Sequence, residues 1–217
     1  MATKTLPPRV LAVRTIPNVA GSLAAALDLE DRHSALGFLT VDQDDPTYVA
    51  IDEATKKADV AVVYARSFYA GAAYASGPTS GETLAILAGE RIAEINAGLD
   101  AAIAHLESGV SYRSADGGEV GRYFAHLVAR SGDYLSARAG IPRGEALGYL
   151  KATPLEATWA LDHALKAAAV ELVEWMGPPT PTNMAGALVT GTEADCRAAC
   201  EAFEAAVLSV HRDPVRY

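Results

Sequence analysis

The chain says the same thing twice. Ser34-Ala35-Leu36-Gly37-Phe38-Leu39 is answered by Glu145-Ala146-Leu147-Gly148-Tyr149-Leu150. Further on, Ala50, Asp52, Ala54, Lys56, Ala58, Val60 and Val63 are answered by Ala160, Asp162, Ala164, Lys166, Ala168, Val170 and Val173. The copies lie half of a 217-residue chain apart, well beyond the ~20–50-residue period of a solenoid. The repeat therefore predicts a duplicated domain, with units at 1–108 and 109–217.

Each copy has one physical grammar. A short apolar strand ends in a polar loop, an Ala-rich helix follows, and a β-branched strand closes the unit. In the second copy Thr153-Pro154-Leu155-Glu156 reads as a capping box with proline at the first helical position. In the first, Asp45 before Pro46 reads as an acidic N-cap. Ala50, Ile51, Ala54 and Ala58 share one helical face, as do Ala160, Leu161, Ala164, Leu165 and Ala168. An extra strand and helix precede each copy, at 9–15 and 18–27 and again at 123–130 and 133–139. A further strand and a final helix close each half, at 82–87 and 90–106, then at 184–189 and 192–210. The stretch 68–81 is long and rich in Gly, Ala, Ser and Tyr without helical period. Loops of that length inside a compact domain are usually functional or disordered. Residues 107–119 read as a Gly- and Ser-rich linker whose one aromatic is Tyr112.

The run from Ala146 to Trp175, ALGYLKATPLEATWALDHALKAAAVELVEW, resembles a bacterial microcompartment shell domain. Two copies in one chain resemble the tandem-domain, trimer-forming class. DQDDPTYVAIDEATK, VVYARSFYAGAAYASGPTSGE and AGLDAAIAHLESG narrow the likeness to the ethanolamine-utilisation shell protein L type. The resemblance implies an α/β (α+β) fold of tandem, circularly permuted domains, each a small, mostly antiparallel sheet flanked by helices. It implies a structural shell protein forming a pseudohexameric homotrimer with other shell proteins, in a cytoplasmic microcompartment. Such a tile has a central pore open to gating and small acidic pores that pass small amines, amino alcohols or cofactors.

The resemblance also assigns residues. Asp44, Asp45, Glu82 and Tyr69 fall at the small pore, and Tyr112, Arg113 and Asn183 on the central-pore loops. Lys56 and Lys166 fall along the tile edge. Each has a plainer reading. Asp45 can be a helix cap, Glu82 a solvated strand end, Asp42 and Asp44 an exposed turn. The lysines can be partners of Asp52 and Asp162 at i,i+4, worth ~0.2–0.5 kcal/mol each.

Composition sets outer limits. A formal net charge of −9 argues against nucleic acid and anionic membrane as partners and suits cationic small molecules. No apolar run approaches the ~20 residues of a membrane helix, and the first residues have no signal-peptide core. Cys196 and Cys200 are the only cysteines, four apart on one helical face, and read as small apolar fillers rather than a soft-metal pair. The five histidines are scattered, and no phosphate loop with its lysine or nucleophile elbow occurs. No catalytic residue, metal or cofactor is expected. A tandem small-ligand sensor is the alternative to a shell tile.

Overall fold

The computed structural model describes residues 3–68, 82–117, 121–178 and 180–215. The first repeat runs β2 (Val10–Ile16), α1 (Gly21–Ala26), β3 (Ala35–Val41), α2 (Asp44–Lys57), β4 (Ala61–Phe68), β5 (Glu82–Gly89) and α3 (Ile92–Glu107), after a three-residue β1 (Lys4–Leu6). The second begins with β6 (Tyr112–Ser114). It then repeats the order as β7 (Arg122–Val128), α4 (Asp133–Ala139), β8 (Ala146–Ala152), α5 (Pro154–Ala167), β9 (Glu171–Met176), β10 (Ala185–Gly191) and α6 (Glu193–Arg212). The strands form two antiparallel sheets, ordered β2-β3-β5-β4 and β1-β6-β7-β8-β10-β9.

The repeated Ala-Leu-Gly has a packing reason. A β-carbon on Gly37 would stand 2.7 Å from Ile95 Cγ2 and 3.0 Å from Leu99 Cδ1 of α3. On Gly148 it would stand 2.8 Å from Val189 Cγ2 and 3.4 Å from Cys200 Sγ of α6. Glycine at this point lets each final helix close on its sheet. The helix faces match: Ile95, Leu99, Ala102 and Leu106 are buried along α3, and Cys196, Ala199, Cys200, Phe203, Ala206 and Val207 along α6. Full burial of a large apolar side chain stabilises by roughly 1.5–3 kcal/mol. Both cysteines are free and buried in this stripe, as fillers.

Two expectations about α2 and the linker need correction. The first helix starts at Asp44 behind Gln43, without a side-chain cap, so Asp45 lies inside its first turn. Residues 107–119 are no plain linker, because Tyr112, Arg113 and Ser114 pair with β1 on one side, and Arg113 and Ser114 with β7 on the other. The burial of Val110, Tyr112 and Ser114, with Ser111 and Arg113 between them half-exposed, is the period-2 signature of a strand.

The two halves meet along a polar seam. Asp52 of α2 is fully buried, and its carboxylate accepts the backbone N–H of Gly132 at 2.7 Å and of Leu135 at 2.8 Å, at the start of α4. Thr55 Oγ1 accepts the N–H of Asp133 at 2.9 Å. Lys56, expected on an exposed face, is half-buried and donates to the Arg130 carbonyl at 2.9 Å while pairing with Glu53 at 2.5 Å. Lys166 is exposed as expected and pairs with Asp162 at 2.6 Å. Around the seam one continuous apolar core joins Val49, Ile51 and Leu99 to Leu135, Leu147 and Leu188.

Candidate functional site

The seam opens into a cavity of about 470 Å³, within the ~300–1,000 Å³ range of small-molecule sites. Asp44, Asp45 and Tyr48 enter it from α2, with Ala65, Arg66 and Ser67 from β4. Tyr134 and Arg138 come from α4, Tyr149 and Lys151 from β8, and Trp175 and Met176 from β9.

Its acidic pole is built by helix geometry. Asp44 and Asp45 are 3% and 1% exposed in the first turn of α2, where free backbone N–H groups favour negative charge. Asp45 Oδ1 accepts the Tyr149 hydroxyl at 2.6 Å, and Oδ2 accepts the Tyr112 hydroxyl. Asp44 Oδ1 accepts the backbone N–H of Asp45 at 2.9 Å and lies 3.2 Å from the Tyr112 hydroxyl. Tyr112 has one proton to give, and its closer partner is Asp45. Burial pushes the Asp44 carboxyl up to about 7, and the neighbouring charge of Asp45 adds to it, while Lys151 works the other way. Burial, and then the acidic pair, hold both Tyr112 and Tyr149 well above the ordinary tyrosine range.

The opposite wall is cationic and aromatic. Arg138 holds Glu174 in a two-pronged pair at 2.8 and 3.0 Å and donates to the Tyr149 hydroxyl at 3.2 Å. Its guanidinium lies 5.7 Å from the ring centres of both Tyr48 and Tyr149. This fork fixes Tyr149, which in turn fixes Asp45.

The expected site residues thus separate. Asp44 and Asp45 come together on the cavity. Glu82 begins β5 opposite Phe68, outside the described cavity lining, and Tyr69 lies outside the described residues. Tyr112, expected on a pore-lining loop, is 2% exposed and turned onto the acidic pair. Arg113 points the other way along its strand and pairs with Glu204 at 2.6 Å. Asn183 occupies a left-handed turn (φ 59°) before β10. Tyr149, Arg138 and Lys151 were not anticipated. The signal for Lys151 is a charge inside an otherwise apolar strand, at the place where the first copy has Thr40. Among the described residues no three His, Cys, Asp or Glu side chains gather as a metal site, and no helix is long and apolar enough to cross a membrane.

The comparisons agree with this architecture. A family model for the BMC domain matches residues 35–120. The bacterial microcompartment shell protein EutL of Clostridium perfringens is 52% identical over 217 residues, covering all of both chains. A monoclinic crystal structure of EutL from the same organism superposes with a TM-score of 0.93 at 52% identity, over 100% of this chain and 99% of that one. The fold is also shared with a trimeric bacterial microcompartment shell protein, PduB, at a TM-score of 0.80 and 21% identity, over 94% and 89% of the two chains. With the duplicated sheet-and-helix unit and full-length identity above one half, the chain belongs to the bacterial microcompartment shell proteins, of the EutL type.

Proposed function

We infer that this shell protein is a trimeric tile whose cavity between the halves admits a small protonated amine. Each half, 1–108 and 109–217, acts as one shell domain, so three copies make a ring of six similar positions. One observation carries the assembly reading: the second half exposes an apolar face, with Leu155 66%, Trp159 51%, Leu172 40% and Trp175 60% exposed. The same positions of the first half are closed by the second half of its own chain. A second copy is the partner of matching shape, since its first half carries exposed Leu23 at the place of buried Leu135. Head-to-tail contacts of this kind close into a ring when the rotation allows it, and a ring of three copies gives six similar positions. Sedimentation at micromolar concentration should give a trimer, and layers in the electron microscope at higher concentration. A stable monomer excludes the tile.

The cavity supports passage of a cation because its acidic pole lies on a space that a ligand can enter. An ammonium can take the carboxylate lone pairs that the tyrosines leave free. A wet, partly screened ion pair contributes ~1 kcal/mol or less, so affinity on the order of millimolar, about −4 kcal/mol, is expected. Titration calorimetry with 2-aminoethanol should show weak, salt-sensitive binding, and Asp44→Asn should reduce it. Binding unchanged by that substitution rejects the acidic pole as the site.

A further inference from the structure

The cavity has a second pole that an amino alcohol leaves unused. Lys151 lines it and is only 3% exposed, yet among the described residues its ammonium makes no hydrogen bond and no ion pair within 4 Å. An ammonium has three donors and no acceptor, so this one is free to donate to whatever enters the cavity. The charge of Lys151 is felt by Asp44, whose carboxyl pKa it lowers against the stronger pull of burial, but neither aspartate of the acidic pair reaches it as an ion pair. The strand is also cut to fit this side chain. Gly186 of β10 lies opposite Lys151 in register, and a β-carbon there would meet the Lys151 stem at 2.5 Å from Cδ, and the Leu150 carbonyl closer still. Arg66, exposed and free of protein partners among the described residues, adds a second cation on the facing strand β4. The first copy has Thr40 and Gly37-Phe38 in the matching strand, so neither this lysine nor its cavity is a by-product of the repeat.

We propose that Lys151, with Arg66, forms an oxyanion subsite, so that the preferred occupant is a small zwitterion carrying an ammonium at one end and a phosphate or carboxylate at the other. This rests on the reading of the acidic pole as an amine site. The cavity volume leaves room for it, since about 470 Å³ exceeds what an amino alcohol of about four heavy atoms fills. The ammonium faces Asp44 and Asp45, and the oxyanion faces Lys151 and the rim arginine. Charge is then matched at both ends, whereas a simple amine leaves Lys151 near its own positive charge.

The test is calorimetry on the full-length assembled protein with three probes: 2-aminoethyl phosphate, 2-aminoethanol and inorganic phosphate. The phosphate ester should bind about tenfold more tightly than the amino alcohol. Lys151→Met, which keeps the stem over Gly186, should bring the two within about twofold, while Lys151→Arg should keep the preference. In wild-type protein, the NMR signal of the Lys151 side-chain CH2 next to nitrogen should move with the ester and with phosphate, and not with 2-aminoethanol. That measurement stands even if Lys151→Met does not fold. Equal affinities in wild type, a preference that survives Lys151→Met, or an unmoved Lys151 signal overturns the subsite. If the ester binds through Lys151 but the amino alcohol does not bind at all, the oxyanion subsite stands and the amine-passage reading falls.

Discussion

Helices α2 and α5 are both fourteen residues long and occupy the same place in their repeats, but they live in opposite surroundings. Along α2, Asp45, Val49 and Asp52 are buried at 1%, 2% and 0% exposure. Their counterparts on α5 are Leu155, Trp159 and Asp162, all exposed. Asp52 holds two backbone N–H groups of α4, whereas Asp162 holds only Lys166. The fold is therefore not what buries this face; a neighbouring half is. Where that neighbour is covalently attached, the helix evolved acids facing a cavity. Where it must arrive from elsewhere, the helix carries tryptophan and leucine. Gly132 lets the attached half come in against Asp52, and the first half has Ala20 at the matching point.

The sharpest way to break this contrast is to remove the two aspartates in turn. Asp52→Ala strands two buried N–H groups, each worth about 1–3 kcal/mol, so the free energy of unfolding should fall by ~2–4 kcal/mol in urea titrations. Asp162→Ala should change it by under ~0.5 kcal/mol. Equal losses would mean that the two faces are not in different environments in solution.

Next comes Trp159→Ala. Buried tryptophans at an interface commonly contribute ~2 kcal/mol or more, and a ring of three loses three of them, so the trimer should dissociate at concentrations over ~100-fold higher than wild type. The circular dichroism spectrum should be unchanged. A loss of fold without dissociation would place Trp159 in the core rather than on a docking face.

A pH series sharpens the comparison within the seam. Asp44, pushed up to about 7 against ~3.9 when unfolded, contributes stability that is full below pH ~4 and is lost as pH rises through 7. His126 of the second half is held down to about 4, by burial first and then by His105 and Lys56. Against ~6.5 unfolded, it contributes stability that is full above pH ~6.5 and is lost as pH falls toward 4. The two oppose each other across the same window. Asp44→Asn removes the first, so its urea midpoint should climb from pH 4 to 7 more steeply than that of wild type. Parallel profiles would show that Asp44 titrates as an ordinary aspartate.

The smallest difference should come from the paired lysines. Lys56→Ala removes a bond to the Arg130 carbonyl and should cost about 1 kcal/mol, whereas Lys166→Ala should cost under ~0.5 kcal/mol. Unaltered layers from the Lys166 variant would also remove that residue from the tile edge.

Much of this was legible in the sequence because duplication is visible without any structure. The strand, helix and closing strand of each copy follow from Ala-Leu-Gly, from the alanine stripe and from Val60–Val63 and Val170–Val173. Asp44 and Asp45 were singled out by the family resemblance, whereas on their own they read as a turn and a helix cap. What escaped was set by contacts between distant segments. Tyr112 sits among glycines and serines, so composition hid a three-residue strand whose partners lie at Lys4–Leu6 and Tyr123. Lys56 looks exposed from its own helix, and only the α4 turn buries it. Tyr149 and Lys151 belong to a strand buried on both faces, so no alternation marks which side chain meets the cavity.

One strand sets a clock on synthesis. β1 belongs by position to the first repeat, yet it completes the second sheet through Lys4–Ser114, Thr5–Arg113 and Leu6–Tyr112. On the ribosome, at ~5–20 residues per second, this segment therefore waits on the order of ten seconds for its partner. During that wait its edge groups are open to any other nascent strand. Lys4 and the following Pro7-Pro8 are the residue types that discourage such pairing. Pairing then ties Lys4–Leu6 to the middle of the chain, so the sheet of the second half includes a strand that precedes the rest of the first half.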